Sequence, residues 1–324
     1  FFISYVSLKR QEIVPSITQT NTASTPSWAA PVKEFVESCM KEIAIKAFKK
    51  AGEHGGYIDL QDASIINKQF DLNPNPTESD VVYPSSSQAN PVPYWFYMKG
   101  PNTCTQCSVS TNKPSLGDIE AQIGDYMNNE LPLCLNNLQK FRDQGFDIAF
   151  GGLATSTSID DIGVTITVDY TITLSRVGQT ATIPEFTINL DLNLNEIYQL
   201  ASLILLHELN EMFLEDTALS LIGLKAGLPD LRRIPPLYHS DNKPFYVTWV
   251  LPMVEQKVKN DILASYIPLL QIAGTREAKK LIGSTPFEQG LYDSLFLPPP
   301  EFELPDLKVN FEFNPQKQIY FTIT

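Results

Sequence analysis

The sequence predicts an α+β fold: an antiparallel β-sheet packed with several α-helices, with an N-terminal membrane-helix remnant and a stalk. Three observations predict it. Two amphipathic helical stretches come before a run of strands instead of alternating with them. Those strands are apolar on one face and threonine-rich on the other, the pattern of an antiparallel sheet with one wet face. The closing residues 307–324 alternate again on both sides of Asn314-Pro315, as a hairpin would.

Residues 1–10, "FFISYVSLKR", are apolar up to Lys9-Arg10. They fall short of the roughly 20 apolar residues that cross a bilayer and read as the end of a membrane or anchor helix. A short amphipathic strand is the alternative. Residues 11–30 are dense in Ser, Thr and Pro and read as a stalk. Residues 31–324 read as an extracellular α+β body, with a subdivision expected near 229–244, where prolines cluster.

Within the body, Phe35, Val36, Cys39, Met40, Ile43, Ala47 and Phe48 recur at helical spacing, predicting a helix over 32–51 closed by Gly52. Residues 71–116 are proline-rich and irregular. Inside them "PYWFYM" concentrates aromatic surface at Tyr94, Trp95, Phe96 and Tyr97. These rings either pack on the body or meet a partner. A second helix is expected over 116–144, with Asp118 and Glu120 in its first turn, Gly145 at its end, and Pro132 kinking or dividing it. "GVTITVDYTITL" and "TIPEFTINLDLN", joined at Val177-Gly178-Gln179, predict an antiparallel pair. A long helix is expected from Asn193 or Asn195 to Lys225, and another over 253–273. In the last strand Ile319, Phe321 and Ile323 share one face. A strand in that position is expected to be an edge, and Ile319–Thr324 is expected either to complete an internal sheet or to pair with a neighbouring chain.

The 324 residues are 43% hydrophobic and only 19% charged, with a formal net charge of −13. That excess of acid, with no local Lys/Arg cluster, disfavours nucleic acid and anionic membrane surfaces as partners.

The stretch "LILLHELNEMFLED" lies one residue away from the zinc-peptidase pattern H-E-x-x-H, as His207-Glu208-x-x-Glu211. In such peptidases two ligands share a helix face and the glutamate activates a water. On a helix, Glu208, Glu211 and Glu215 fall within about 60° of one another. With His207 beside them, they are expected to form a solvated acidic stripe, apart from a face of Leu205, Leu206, Leu209, Met212 and Phe213. With three histidines in the chain, no third ligand stands in a supporting motif. "FGGLATSTS" (150–158) is followed by no lysine and no long helix, so it is not read as a phosphate loop. Catalytic residues, metal and cofactors are all expected to be none.

The cysteines are Cys39, Cys104, Cys107 and Cys134, which admit three disulfide connectivities. Cys104-x-x-Cys107 lies in a Pro/Asn/Ser/Thr-rich stretch with no helix immediately after it. This argues against a thioredoxin-like pair, and Cys39 and Cys134 are too far apart in sequence to complete a typical zinc site. Structural disulfides are the reading, and they require an oxidising compartment or a thermophilic cytosol.

Residues 31–60, "PVKEFVESCMKEIAIKAFKKAGEHGGYIDL", followed by "DYMNNELPLCLNNLQKFRDQGFDIAFGG", "VTITVDYTITL" and "NLNEIYQLASLI", carry a resemblance. Their order resembles a group of secreted, N-terminally membrane-anchored proteins of small-genome (DPANN-type) archaea with a type IV pilin-like, class III signal region. The similarity covers much of 31–205 and the closing "LKVNFEFNP". Its most specific features are V-E-S-C at 36–39, G-G-Y-I at 55–58 and L-C-L at 133–135. The resemblance implies a place, the cell exterior, and an anchor. It implies no activity. Cys39 and Cys134 fall on the group's recurring positions, whereas Cys104 and Cys107 look like a local addition. Each of Cys39 and Cys134 also sits beside apolar residues on a helical stretch. They are expected to pair with each other, leaving Cys104 to Cys107.

The function expected is therefore a non-enzymatic structural subunit of a membrane-rooted cell-surface assembly, self-associating or joined to other envelope proteins. An anchored monomeric adhesion or binding protein is the alternative, and a metal-dependent peptidase the least favoured.

Overall fold

The computed structural model describes residues 2–4, 25–66, 68–73, 80–83, 91–95, 112–226, 250–297, 304–314 and 318–323. In chain order the elements are β1 (Phe2–Ser4), α1 (Ala30–Glu53), β2 (Val81–Val82), β3 (Val92–Pro93), α2 (Leu116–Leu135), α3 (Gln139–Arg142), β4 (Asp147–Asp160), β5 (Gly163–Arg176) and β6 (Gln179–Leu190). Then come α4 (Leu194–Glu211), α5 (Phe213–Ala226), α6 (Leu251–Lys257), α7 (Ala264–Tyr266), β7 (Gln271–Ile272), α8 (Pro286–Ser294), β8 (Phe296–Leu297), β9 (Val309–Asn314) and β10 (Gln318–Ile323). Helices and antiparallel strands in separate runs make this an α+β protein. No helix among the described residues is long and apolar enough to cross a membrane.

The chain divides into two compact units. One comprises Ser7–Pro93 and Val109–Tyr198; the other comprises Phe1–Val6, Tyr94–Ser108 and Gln199–Thr324. The boundary falls inside α4; the subdivision expected near 229–244 lies outside the described residues.

In the first unit α1 and α2 back a three-stranded antiparallel meander in the order β4-β5-β6. Val32, Val36, Met40, Ile43, Ala47 and Phe48 of α1 are buried with Ile123, Met127 and Leu131 of α2 and Ile166, Val168, Ile172, Phe186 and Ile188 of the sheet. This inner face is the apolar alternation read from the sequence. The unit begins earlier than expected: Trp28 packs on Phe146 with ring centroids 6.1 Å apart, and Ala29 is fully buried. Residues 25–30 thus belong to the body and not to a stalk.

Helix α2 starts on a capping box, in which Ser115 Oγ accepts from the Asp118 N–H (3.1 Å) and Asp118 Oδ2 accepts from the Ser115 N–H (2.8 Å). Its end is not at Gln144 but at Leu135, where Asn136, Asn137 and Leu138 all take left-handed φ (43°, 53° and 52°) before α3. Pro132 lies inside α2, and the division comes just after it.

Two tight turns join the long strands. Val177 (φ 48°) and Gly178 (φ 77°) are both left-handed, a type I′ turn between the paired residues Arg176 and Gln179. At the other end of the sheet Gly163 has φ 143°, and a Cβ there would lie 2.6 Å from the Leu190 carbonyl oxygen, so glycine is required. Strand β4, which contains the stretch 150–158, is continuous. A bulge at Gly151-Gly152 absorbs the break in its alternation.

In the second unit β9 and β10 form the expected hairpin, with Gln318 opposite Asn314 and Ile323 opposite Val309. β10 is not an edge. It lies between β9 and β1, which pairs with it in parallel, Phe2 opposite Ile319 and Ser4 opposite Phe321. Residues 2–4 are therefore extended where the end of a helix was expected, and pair with β10 along one side. The rest of the N-terminal stretch to residue 24 lies outside the described residues. The helix expected over 253–273 runs from Leu251 to Leu269, passing through a π-helical stretch at Val258–Leu263. Two-stranded β7-β8 and helix α8, capped by Thr285 on the Glu288 N–H (3.2 Å), complete the unit.

Candidate assembly surface

The β4-β5-β6 sheet has two outer strands, and they are treated differently. Helix α2 covers β4. The Ile159 N–H donates to Glu120 Oε1 (2.8 Å), and the Thr155 hydroxyl donates to Asn128 Oδ1 (2.8 Å). The helix approaches closely at Gly124, where a Cβ would stand 3.1 Å from the Thr155 carbonyl oxygen. A glycine here lets a helix close over a strand edge.

These bonds also set the parity of the ladder. Ile159 gives its N–H to Glu120, so the Ile159–Val164 pair exchanges no bonds and Val164 turns its amide toward β6. By the same alternation Glu185, Thr187 and Asn189, which stand opposite Asp169, Thr167 and Thr165, point their N–H and C=O groups away from β5. Among the described residues no hydrogen bond reaches those three N–H groups. Over Glu185–Asn189 strand β6 is an open edge, whereas at β4 the Ile159 N–H is bonded and α2 stands against the Thr155 carbonyl.

The same residues carry the outer face of the sheet. Its side chains form a ladder of small hydroxyls and amides: Thr167 and Thr187 Oγ1 are 3.3 Å apart, as are Thr173 and Thr182 Oγ1 and Ser175 Oγ and Thr180 Oγ1. The Thr165 hydroxyl donates to Asn189 Oδ1 at 3.0 Å. One pair breaks the pattern. Asp169 and Glu185 stand directly opposite and both are exposed, a like-charged pair that weakens the sheet locally. At the β5-β6 tip Val177 is 96% exposed and left-handed, an unfavourable backbone region for a β-branched residue.

The residues singled out in the sequence fall in several places. Cys39 and Cys134 form a disulfide between α1 and α2, with Cα atoms 6.0 Å apart. Cys104 and Cys107 lie outside the described residues, as do Phe96 and Tyr97. Tyr94 and Trp95 are each 2% exposed and serve packing, not an exposed contact surface. Ile323 is likewise fully buried; the side chains of Ile319 and Phe321 are outside the described set.

The acidic stripe expected at His207-Glu208-x-x-Glu211 is not formed. The helix breaks at Met212 (φ 48°), and α5 starts in a new direction. Glu208 is 5% exposed, and its Oε2 accepts from the Leu214 N–H at 3.1 Å. It therefore caps the first turn of α5 from the preceding helix, and it shares a hydrogen bond with the Glu215 carboxyl. Burial, with the Glu215 carboxyl second, pushes Glu208 up to about 8, so it carries a proton at neutral pH. His207 packs its ring 5.3 Å from that of Phe213, and Glu211 is exposed. The three side chains do not converge. Among the described residues no group of three or more His, Cys, Asp or Glu is placed to hold a metal ion.

A second polar cluster had no sequence signal, because its members are distant along the chain. The Tyr57 hydroxyl donates to the Asn112 carbonyl (3.0 Å), Lys68 Nζ donates to Asn112 Oδ1 (2.5 Å), and the Tyr198 hydroxyl donates to the Pro114 carbonyl (2.9 Å). Lys113 Nζ lies 4.6 Å from the Tyr198 ring centre. Burial lowers both Lys68 and Lys113 and raises Tyr57 and Tyr198. These bonds tie the segments around 57–68 and 112–114 together ahead of α2. Comparison with protein families, curated proteins and solved structures returns no match for this chain.

Proposed function

We propose that the chain is a non-enzymatic structural subunit of a membrane-rooted assembly on the cell exterior. The open edge of β6 carries this reading. Natural sheets blunt such edges with charges, prolines, bulges or a covering element; here α2 lies over β4, and on β6 Pro184 and the bulge beside it protect one half of the strand and leave Thr187 and Asn189 open. The α1–α2 disulfide fits an oxidising location. The resemblance to secreted, pilin-like anchored proteins points to the same place, and the net charge of −13 speaks against a nucleic-acid role. Electron microscopy of native protein released from cell envelopes tests the reading. Filaments or regular arrays containing this chain are expected; monodisperse single chains at every concentration overturn it.

The hydroxyl ladder on the outer face favours a second reading, an anchored adhesion protein that uses this face as its contact. In that case the released protein stays monomeric, and substitutions across Thr167, Thr173, Thr182 and Thr187 abolish attachment to its target surface.

A further inference from the structure

Resting on the subunit reading, we propose that two copies of the chain pair through β6, antiparallel and centred on Thr187, joining their sheets into one continuous six-stranded sheet. The outward backbone groups of Glu185, Thr187 and Asn189 set the register. With the two-fold axis at Thr187, Thr187 faces its own copy and Glu185 faces Asn189 of the second copy, on both sides of the axis. All three residues are of the outward-pointing class, so every pair is a hydrogen-bonded one of about two bonds.

Two-folds at Phe186 or Ile188 bring only two pairs of outward residues together within β6, against three at Thr187, and the other registers are disfavoured by features of the strand. Centring on Glu185 sets two glutamates against each other. Centring on Asn189 runs past Leu190, where β6 ends. Centring within 179–183 brings Pro184, which has no N–H, into the pairing. In the Thr187 register Pro184 lies just beyond the last of these pairs, and its missing donor costs nothing. Phe186 and Ile188, which alternate with the three polar residues, are buried on the inner face already and stay there. An isologous contact of this kind closes on itself.

The register predicts a charge-reversal test on the full chain. Asn189→Asp keeps the oxygen that accepts from the Thr165 hydroxyl, so the fold of the single chain is preserved. It sets aspartate against glutamate twice across the axis. Sedimentation equilibrium at low salt is expected to show association weakened about tenfold. Adding Glu185→Lys makes both contacts attractive and is expected to restore association to the parent level or better. Circular dichroism of each variant checks the fold. If the parent associates and Asn189→Asp changes nothing, or if Glu185→Lys fails to rescue it, the β6 pairing is wrong while the subunit reading stands. A parent that is monomeric at every concentration overturns both.

Discussion

Glu208 offers a prediction whose size follows from the structure. An ordinary glutamate loses its proton near 4.5; the buried Glu208 keeps it up to about 8. In that interval the folded chain binds a proton that the unfolded chain has released, so stability falls as pH rises from about 4.5 to about 8 and is flat above that. At about 1.4 kcal/mol per pH unit, the whole interval is worth at most on the order of 5 kcal/mol. Glu208→Gln removes this dependence without removing the cap. Its amide oxygen still accepts from the Leu214 N–H, and its amide nitrogen still donates to Glu215. The variant is expected to match the parent at pH 5 and to exceed it at pH 8. Glu208→Ala leaves the buried Leu214 N–H without an acceptor and is expected to cost about 1–3 kcal/mol at both pH values. Hydrogen exchange at residues 212–216, corrected for intrinsic rate, reads the opening of the α4–α5 junction directly. Equal alkaline loss of protection in the parent and in Glu208→Gln would refute the shared-proton account.

Three further outcomes are expected. Cys39→Ser with Cys134→Ser removes a cross-link over a sequence separation of 95 and should destabilise the first unit by about 4–5 kcal/mol on the chain-entropy model, measured by urea denaturation. Val177→Asn relieves a left-handed β-branched residue in a type I′ turn and should stabilise by about 1 kcal/mol; an unchanged melting temperature would contradict the turn geometry. Gly163→Ala forces a Cβ to within 2.6 Å of the Leu190 carbonyl oxygen and should cost about 2–3 kcal/mol in the same melts.

Elements whose signals are local were legible in the sequence. The periodicity of α1, the alternation of β5 and β6, and the turn at Val177-Gly178 needed only neighbouring residues. The capping pattern Thr285-Pro286-x-Glu288 announces α8 just as plainly. Strand β4 was obscured because Gly151-Gly152 interrupts its alternation at the bulge and its outward positions carry alanine and serine. The error at Glu208 has a different cause. A helical wheel assumes an unbroken helix, and nothing about Met212 advertises a left-handed break. Once the axis turns there, residues on one side of a projected wheel no longer share a face. Which outer strand of the sheet stays open is likewise decided by a helix from elsewhere in the chain. Gly124 reads as an indifferent helical glycine until Thr155 is set against it.

The covering of β4 by α2 limits how far a sheet of this kind can grow. In polymer terms, a monomer with a single reactive end has a functionality of one: it couples once and terminates. With both edges open, each added copy would present a fresh template, and the strands could propagate without limit, as they do in amyloid. With one edge closed, coupling through β6 stops at two. Any longer structure built from this chain must therefore alternate that contact with a second, chemically different one. Its length can then be controlled at the second contact without disturbing the first.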